Sequence, residues 1–390
     1  MFNKTFSPWP SYTHEEADAV SNVILSNKVN YWTGTEGRKF EKEFATWCEC
    51  KYAVALANGT VALDLAFKAI GIGEGDEVIV TSRTFLASVS SIVNAGAIPV
   101  FADVSLDSQN ITLESVREKI SAKTKAIVCV HLAGWPCEMD TIMALADEFG
   151  LLVIEDCAQA HGAKYKGKPV GSISHIGTWS FCQDKIMTTG GEGGMVTTND
   201  RELWSKMWSY KDHGKNWEAV YEREHPPGFR WVHDAFGTNW RMTEIQAGIG
   251  RIQLKRMADW TSSRQANAKI IWETAKECIG LRVPSVPDYI EHAAYKCYVF
   301  VEPDELNSDW NCDRVISEIN TFGVPCFVGS CSEVYLEKAF DSTDFRPKER
   351  LPNAKVLGEI SLMFLVHPTL TKDEIKKTCD VIKKVMVLAT

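Results

Sequence analysis

Three short stretches hold residue types that can do chemistry together. Asn58-Gly59-Thr60 follows an apolar strand-like run and opens a helical pattern. The start of a helix offers free N–H groups and a positive dipole end, which suits a phosphate. Gly59 permits close approach and Thr60 adds a hydroxyl. The plainer reading makes Thr60 an ordinary N-cap. Asp156 ends the apolar run Leu151 to Glu155. A carboxylate there is costly unless a positive group meets it, and a protonated pyridine nitrogen is such a group. The alternative is an N-cap for the Ala-rich segment that follows. Lys185 stands after Ser180-Phe181-Cys182-Gln183-Asp184, ahead of Gly190-Gly191-Glu192-Gly193-Gly194. A lysine just past a strand, before a glycine loop, is placed for a Schiff base. A solvated surface lysine is the alternative, and the glycines argue against it. They imply backbone pressed close to something, or unusual dihedrals.

A phosphate cradle, an acid for a ring nitrogen and a Schiff-base lysine are what pyridoxal phosphate requires. The cofactor supplies the electron sink, and the protein supplies orientation and electrostatics.

These residues need elements to carry them. Val54 to Leu56, Glu77 to Thr81, Pro99 to Ala102, Ala126 to His131 and Leu151 to Glu155 read as strands. Thr60 to Ile70, Thr84 to Ala95 and Asp140 to Phe149 read as helices between them. Such alternation predicts βαβ units and a mainly parallel sheet. Ligands then sit outside the carboxyl ends of the strands. A helical pattern begins at Met242 and continues past Trp260 towards Cys278. Beyond Gly280, prolines punctuate short strands such as Tyr298 to Val301. We therefore expect a large α/β domain over 1–260 and a smaller α+β domain over 261–390.

Composition narrows the classes. The chain has 390 residues, 42 Lys+Arg and 51 Asp+Glu, for a net charge of −9. No broad basic field is available for nucleic acid. No apolar run reaches the ~18 residues of a membrane span, and the first ten residues lack a signal-peptide core. A cytoplasmic protein is expected. The 12 cysteines are scattered, without C-x-x-C or zinc-finger spacing, so reduced core thiols are expected rather than a metal site or disulfide framework.

The sequence resembles the sugar aminotransferases of the StrS and DegT type, within the aspartate-aminotransferase fold group. The likeness runs nearly end to end. It rests on Trp32-x-Gly34 and Phe40-Glu41, then Asn58-Gly59-Thr60-x-Ala62-Leu63 and Thr84-Phe85-x-Ala87. It continues through Glu155-Asp156-x-Ala158-Gln159-Ala160-x-Gly162, Ser180-Phe181 before Lys185, and Gly190 to Gly194. Gly237-x-Asn239-x-Arg241-Met242 and Ile245-Gln246-Ala247 complete it. The resemblance implies that Lys185 binds the cofactor covalently and shuttles the proton, while Asp156 pairs with its ring nitrogen. It implies that Phe85 stacks on the ring, Gln159 sits near the phenolic oxygen, and Gly59, Thr60 and Ser180 hold the phosphate. Asn239 would reach the phosphate of a neighbouring subunit, which implies a homodimer with shared active sites.

The implied activity is transfer of an amino group from L-glutamate to a keto or aldehyde sugar for a surface polysaccharide such as lipopolysaccharide. A sugar dehydratase on the same scaffold would replace the lysine with histidine, and Lys185 argues against it. A sensor without turnover is a further reading, with no DNA-binding module to support it. Two departures bear on the acceptor. The small domain lacks the family's usual His-Tyr pair near Gly323 to Cys331. An insertion over 213–236 carries Arg223, His225 and Arg230 among aromatic residues. Trp32, Arg223, His225 and Arg230 are therefore expected to contact the acceptor, because arginine forks bind carboxylate or phosphate. One expected acceptor, suggested by the resemblance only, is an acidic sugar, an 8-oxo-3-deoxy-octulosonate aminated at C8. The other is a nucleotide-linked 3- or 4-keto-6-deoxy sugar.

Overall fold

The computed structural model describes residues 6–224, 228 and 230–390. Seven strands form the main sheet: β1 (Tyr52–Leu56), β2 (Glu77–Thr81), β3 (Ile98–Ala102), β4 (Thr124–Val130), β5 (Leu152–Asp156), β6 (Ile176–Ser180) and β7 (Gly194–Thr198). Their order is β1-β7-β6-β5-β4-β2-β3. Pairing is parallel from β6 to β3, and β7 is antiparallel to both β6 and β1. The carboxyl ends of β1, β2, β4, β5 and β6 therefore share one edge. Leu56 and Ser180 both lie opposite Gly194 there. The central strands are apolar on both faces because helices cover both.

Helix boundaries depart from the sequence reading in ways that matter. Asn58, not Thr60, is the N-cap of the Gly59–Ala69 helix, and its side chain accepts from the Val61 N–H. Gly59 and Thr60 thus become first-turn residues, whose N–H groups have no carbonyl four residues back to bond. The helix expected over Thr84 to Ala95 begins only at Ala87 and ends at Asn94. Thr84 and Phe85 are left in the loop beyond β2. The long helix divides into Glu244–Lys255 and Met257–Lys276. Arg256 at the junction pairs with Glu15 and Glu16, fastening the His14–Leu25 helix beside it.

The C-terminal part carries an antiparallel sheet of β8 (Leu281–Arg282), β9 (Cys297–Val301), β10 (Cys326–Phe327) and β11 (Ser361–Phe364), in the order β8-β9-β11-β10. One apolar cluster runs from Val54, Ile79, Val128 and Ile154 to Val299, Leu362 and Ile382, so the two sheets share a continuous core. A second cluster of Phe40, Phe44, Trp179, Phe181, Met187 and Met257 backs the loop that holds Lys185. All twelve cysteines are free, and Cys331 is the exposed one. No helix among the described residues is long and apolar enough to cross a membrane.

A buried ion pair locks the edge of the main sheet. Glu41 accepts from Lys211 Nζ at 2.9 Å, from the Ala55 N–H at 2.9 Å and from the Tyr31 hydroxyl at 3.0 Å. The Tyr31 oxygen in turn accepts from Trp208 Nε1 at 3.1 Å. Burial, reinforced by the Glu41 charge, pushes the Tyr31 phenol well up. The network joins β1 to the Glu36–Trp47 and Arg201–Lys211 helices. Removing one partner of such a pair strands the other in a dry interior. Lys211→Met is therefore expected to lower stability by about 3 kcal/mol. Urea unfolding checks this, and an unchanged midpoint would remove the pair from the account.

Candidate active site

The candidate phosphate cradle forms where the ends of two strands meet. A Cβ placed on Gly59 would lie 2.5 Å from Ser180 Cβ and 2.9 Å from its Oγ. Only glycine fits, and the Ser180 hydroxyl stands directly against the first turn of the helix. Gly194 closes the other side, since a Cβ there would lie 2.3 Å from the Asn58 carbonyl oxygen. The structure thus brings Gly59, Thr60 and Ser180 together.

Asp156 ends β5 with 5% exposure. Its Oδ2 accepts from Ser88 Oγ at 2.8 Å and its Oδ1 from the Ala158 N–H at 3.1 Å. Both donors are neutral, and among the described residues Asp156 has no ion-pair partner. The N-cap alternative fails, because a turn and no helix follows. Ser88 was not picked out from the sequence. Its hydroxyl also meets Thr84 Oγ1 at 2.9 Å, and this spacing of four is the local signal that marks it. The Ser88 N–H bonds the Phe85 carbonyl at 3.2 Å, so the turn bearing Phe85 is tied to the residue that holds Asp156. Phe85 itself is 70% exposed. A flat apolar ring so placed suits stacking on an aromatic ligand.

Gln159 has its carbonyl oxygen engaged by the Ala133 N–H at 2.8 Å. The side-chain NH₂ is thereby the group left to donate to a phenolic oxygen. Beneath this edge, Glu155 faces away from Asp156 and is fully satisfied. It accepts from the N–H groups of Gly171, Ile173 and Ser174 and meets His131 Nε2 at 3.0 Å. Burial works to raise its carboxyl, yet His131 and the N–H groups hold it below the ordinary value. His131, Glu155 and Cys157 gather donor atoms within 4.8 Å, but these hydrogen bonds already occupy Glu155. His131 Nδ1 accepts from the Cys137 N–H at 3.0 Å.

Lys185 follows β6 in a loop pinned by its backbone. The Lys185 N–H bonds the Cys182 carbonyl at 3.1 Å, and its own carbonyl accepts from Trp9 Nε1 at 2.9 Å. Gly190 and Gly191 turn the chain with φ of 85° and 116°, so the glycine loop shows the unusual dihedrals expected. The Lys185 amine faces the Tyr295 ring at 5.3 Å from its centre. Tyr295 donates to Asp184 Oδ2 at 2.5 Å. Burial would raise the Asp184 carboxyl, but Lys185 and this hydrogen bond outweigh it and hold it low. Tyr295 lies over a hundred residues from Lys185 in sequence, and nothing local marks it.

The expected acceptor contacts fare differently. Trp32 is built into an aromatic group, stacked on Tyr221 at 6.2 Å and edge-on to Trp208 at 6.1 Å, with Lys215 Nζ 4.1 Å from its ring centre. It anchors the Trp217–Tyr221 helix of the insertion. Arg223 is exposed and 3.7 Å from Glu218. Arg230 is exposed in a turn, and His225 lies outside the described residues. Asn239 is exposed, with its backbone bridged to Asp212. The next residue, Trp240, accepts from the Ala57 N–H at 2.9 Å, so this segment runs along the end of β1.

The donor set fits pyridoxal phosphate: a cradle that any Cβ would fill, a buried carboxylate without a cation, an exposed flat ring and a pinned lysine. Comparison with known proteins agrees. The sequence profile of the DegT/DnrJ/EryC1/StrS aminotransferase family matches residues 10–383. GDP-perosamine synthase of Escherichia coli O157:H7 is 44% identical over 265 residues, covering 67% of this chain and 68% of the relative. The dTDP-3-amino-3,6-dideoxy-alpha-D-galactopyranose transaminase of Aneurinibacillus thermoaerophilus is 32% identical over 375 residues, 96% of each. An aminotransferase structure from Psychrobacter cryohalolentis is 64% identical and superposes with a TM-score of 0.96, over 98% of this chain and 99% of that one. The chain belongs to the DegT/DnrJ/EryC1/StrS family of sugar aminotransferases, whose cofactor is pyridoxal phosphate.

Proposed function

We propose that this chain moves the amino group of L-glutamate to the carbonyl carbon of a nucleotide-linked keto-deoxy sugar. Glutamate departs as 2-oxoglutarate, taking its keto oxygen from a water, and the sugar's carbonyl oxygen departs as water, so no net water is formed. The observation that carries the acceptor is the pair of relatives named above, one for a GDP-linked and one for a dTDP-linked product. Their shared chemistry is a diphosphate attached to a deoxy sugar. The octulosonate acceptor is suggested by resemblance only, and the insertion's Arg223 and Arg230 suit a diphosphate equally well.

Bound pyridoxal phosphate supplies an electron sink for the carbon that loses or gains a proton. This chain's residues do the rest. Asp156 keeps the ring nitrogen protonated, because a buried carboxylate stabilises the cation that meets it. Gln159 donates to the phenolic oxygen, and Phe85 holds the ring flat from one face. Gly59, Thr60 and Ser180 bind the phosphate through N–H and O–H donors. The Lys185 amine would hold the cofactor covalently when no donor is bound, and would carry the proton between the two carbons of the reaction. Asn239 we read as serving a second copy's phosphate; its exposure supports this, and a fully active monomer in sedimentation would contradict it.

Two outcomes test the reading. Gly59→Val forces the Ser180 side chain away from the helix start, and cofactor affinity is expected to fall at least ~100-fold, about 2.7 kcal/mol. Equilibrium dialysis against free cofactor measures it, and unchanged affinity would move the phosphate elsewhere. Separately, the amino form of the enzyme is offered GDP-, dTDP- and UDP-linked keto sugars and free keto sugar acids, with product mass as readout. Amination of a nucleotide-linked sugar is expected. Amination of a free sugar acid alone would overturn the acceptor.

A further inference from the structure

The Tyr295 ring is faced by two amines. Lys185 Nζ lies 5.3 Å from its centre and Lys296 Nζ 4.7 Å. A third base stands close by. Arg264, on the Met257–Lys276 helix, is 1% exposed, and its Nη1 donates to the Tyr295 carbonyl at 3.4 Å. Its Nε and Nη2 have no hydrogen-bond partner among the described residues. The Trp9 ring covers it, with Cζ 4.8 Å from the ring centre. Among the described residues, Asp184 is the carboxylate whose charge acts on Lys296 and Arg264, and it is already bonded to Tyr295, while Glu374 acts on His367 beside them. The neighbouring histidines add no charge. Burial, then the charges of Lys185 and Arg264, hold His161 at about 3. Burial, then Arg264 and Lys296, do the same for His367.

Arg264 is buried and the two lysines are half-buried, and an excess of positive charge so far withdrawn from water favours an anion that completes it. The cofactor's phosphate has its own cradle at Gly59 and Ser180. An acceptor's diphosphate is separated from the reacting carbon by the sugar ring, whereas these groups crowd the Lys185 amine itself. The α-carboxylate of an amino acid is bonded to the carbon that carries the transferred nitrogen, so it is the anion that must come this close. Lys296 is partly exposed and can touch a ligand, while Arg264 lies behind, under Trp9.

We propose that Lys296, backed by Arg264, is the subsite that binds the α-carboxylate of the amino donor. This rests on the aminotransferase reading and deepens its donor half. It also accounts for one site serving two unlike substrates. Burial, opposed by Asp184 and reinforced by Arg264 and Lys185, pulls the Lys296 amine down to about 8. A carboxylate favours its charged form, and a sugar hydroxyl accepts its neutral form at little cost.

The test is the donor half-reaction of the holoenzyme without acceptor, followed by the absorbance of the bound cofactor. Lys296→Met is expected to raise the half-saturating L-glutamate concentration at least tenfold with a smaller change in limiting rate. Lys296→Arg is expected to stay within about threefold of wild type. In the wild type, half-saturation should rise as pH passes about 8 and Lys296 loses its proton. This is opposite to the effect of deprotonating the donor's own amine. In Lys296→Arg that rise should vanish, because arginine stays charged. An unaltered half-saturation in Lys296→Met, or an identical pH profile in wild type and Lys296→Arg, overturns the proposal. If a different α-amino acid converts the cofactor and glutamate does not, the glutamate reading fails and Lys296 is judged on that donor. If no α-amino acid converts it, the subsite falls as well.

Discussion

An isolated carboxylate at the end of a buried strand sets the terms for this molecule. Asp156 is nearly inaccessible and, among the described residues, receives two neutral hydrogen bonds. In a dry interior its charge is expensive by itself and strongly attractive to a cation. It stays where it is because β5 is gripped on both sides by parallel neighbours. It stays also because the preceding residue, Glu155, is tied down on the opposite face by His131 and three backbone N–H groups. Alternation along the strand makes this division possible, one acid serving the scaffold and the next left open to a ligand.

The remaining groups inherit their positions from the same edge. β6 brings Ser180 to the helix that starts at Gly59, β4 delivers Ala133 to orient Gln159, and the loop after β2 presents Phe85. Because these donors are fixed before any ligand arrives, little reorganisation is needed when charge develops on the bound ring. The Lys185 loop is held differently, by Trp9 from the N-terminal segment and by Tyr295 from the C-terminal part. The Lys185 amine is thus the point where distant pieces of the chain meet.

That contrast explains what could be read from the sequence. The parallel strands, and the roles suggested for Gly59, Asp156, Ser180 and Lys185, depend on a few consecutive residues, so their signals are local. Asn58 took the cap role assigned to Thr60 because its carbonyl reaches the Val61 N–H, a detail of one residue's register. The His14–Leu25 helix announces itself by a capping box between Thr13 and Glu16, a signal present but not used. Ser88 had a weak signal in its spacing from Thr84. Tyr295, Arg264 and Lys296 had none, because their meaning comes only from long-range packing. The arginines of the insertion show the limit from the other side. Their chemistry is visible in the sequence, but an arginine fork suits a carboxylate and a diphosphate alike, so nothing local chooses between them.

The central claim is that Lys185 is the amine that takes up the cofactor. Lys296 faces the same tyrosine and offers a second amine nearby, so the assignment has a real competitor. Reducing the holoenzyme with borohydride fixes the cofactor to whichever lysine holds it, and tandem mass spectrometry of the digest locates the added mass. The account predicts that mass on Lys185 alone. Its appearance on Lys296, or on neither lysine, would contradict the assignment.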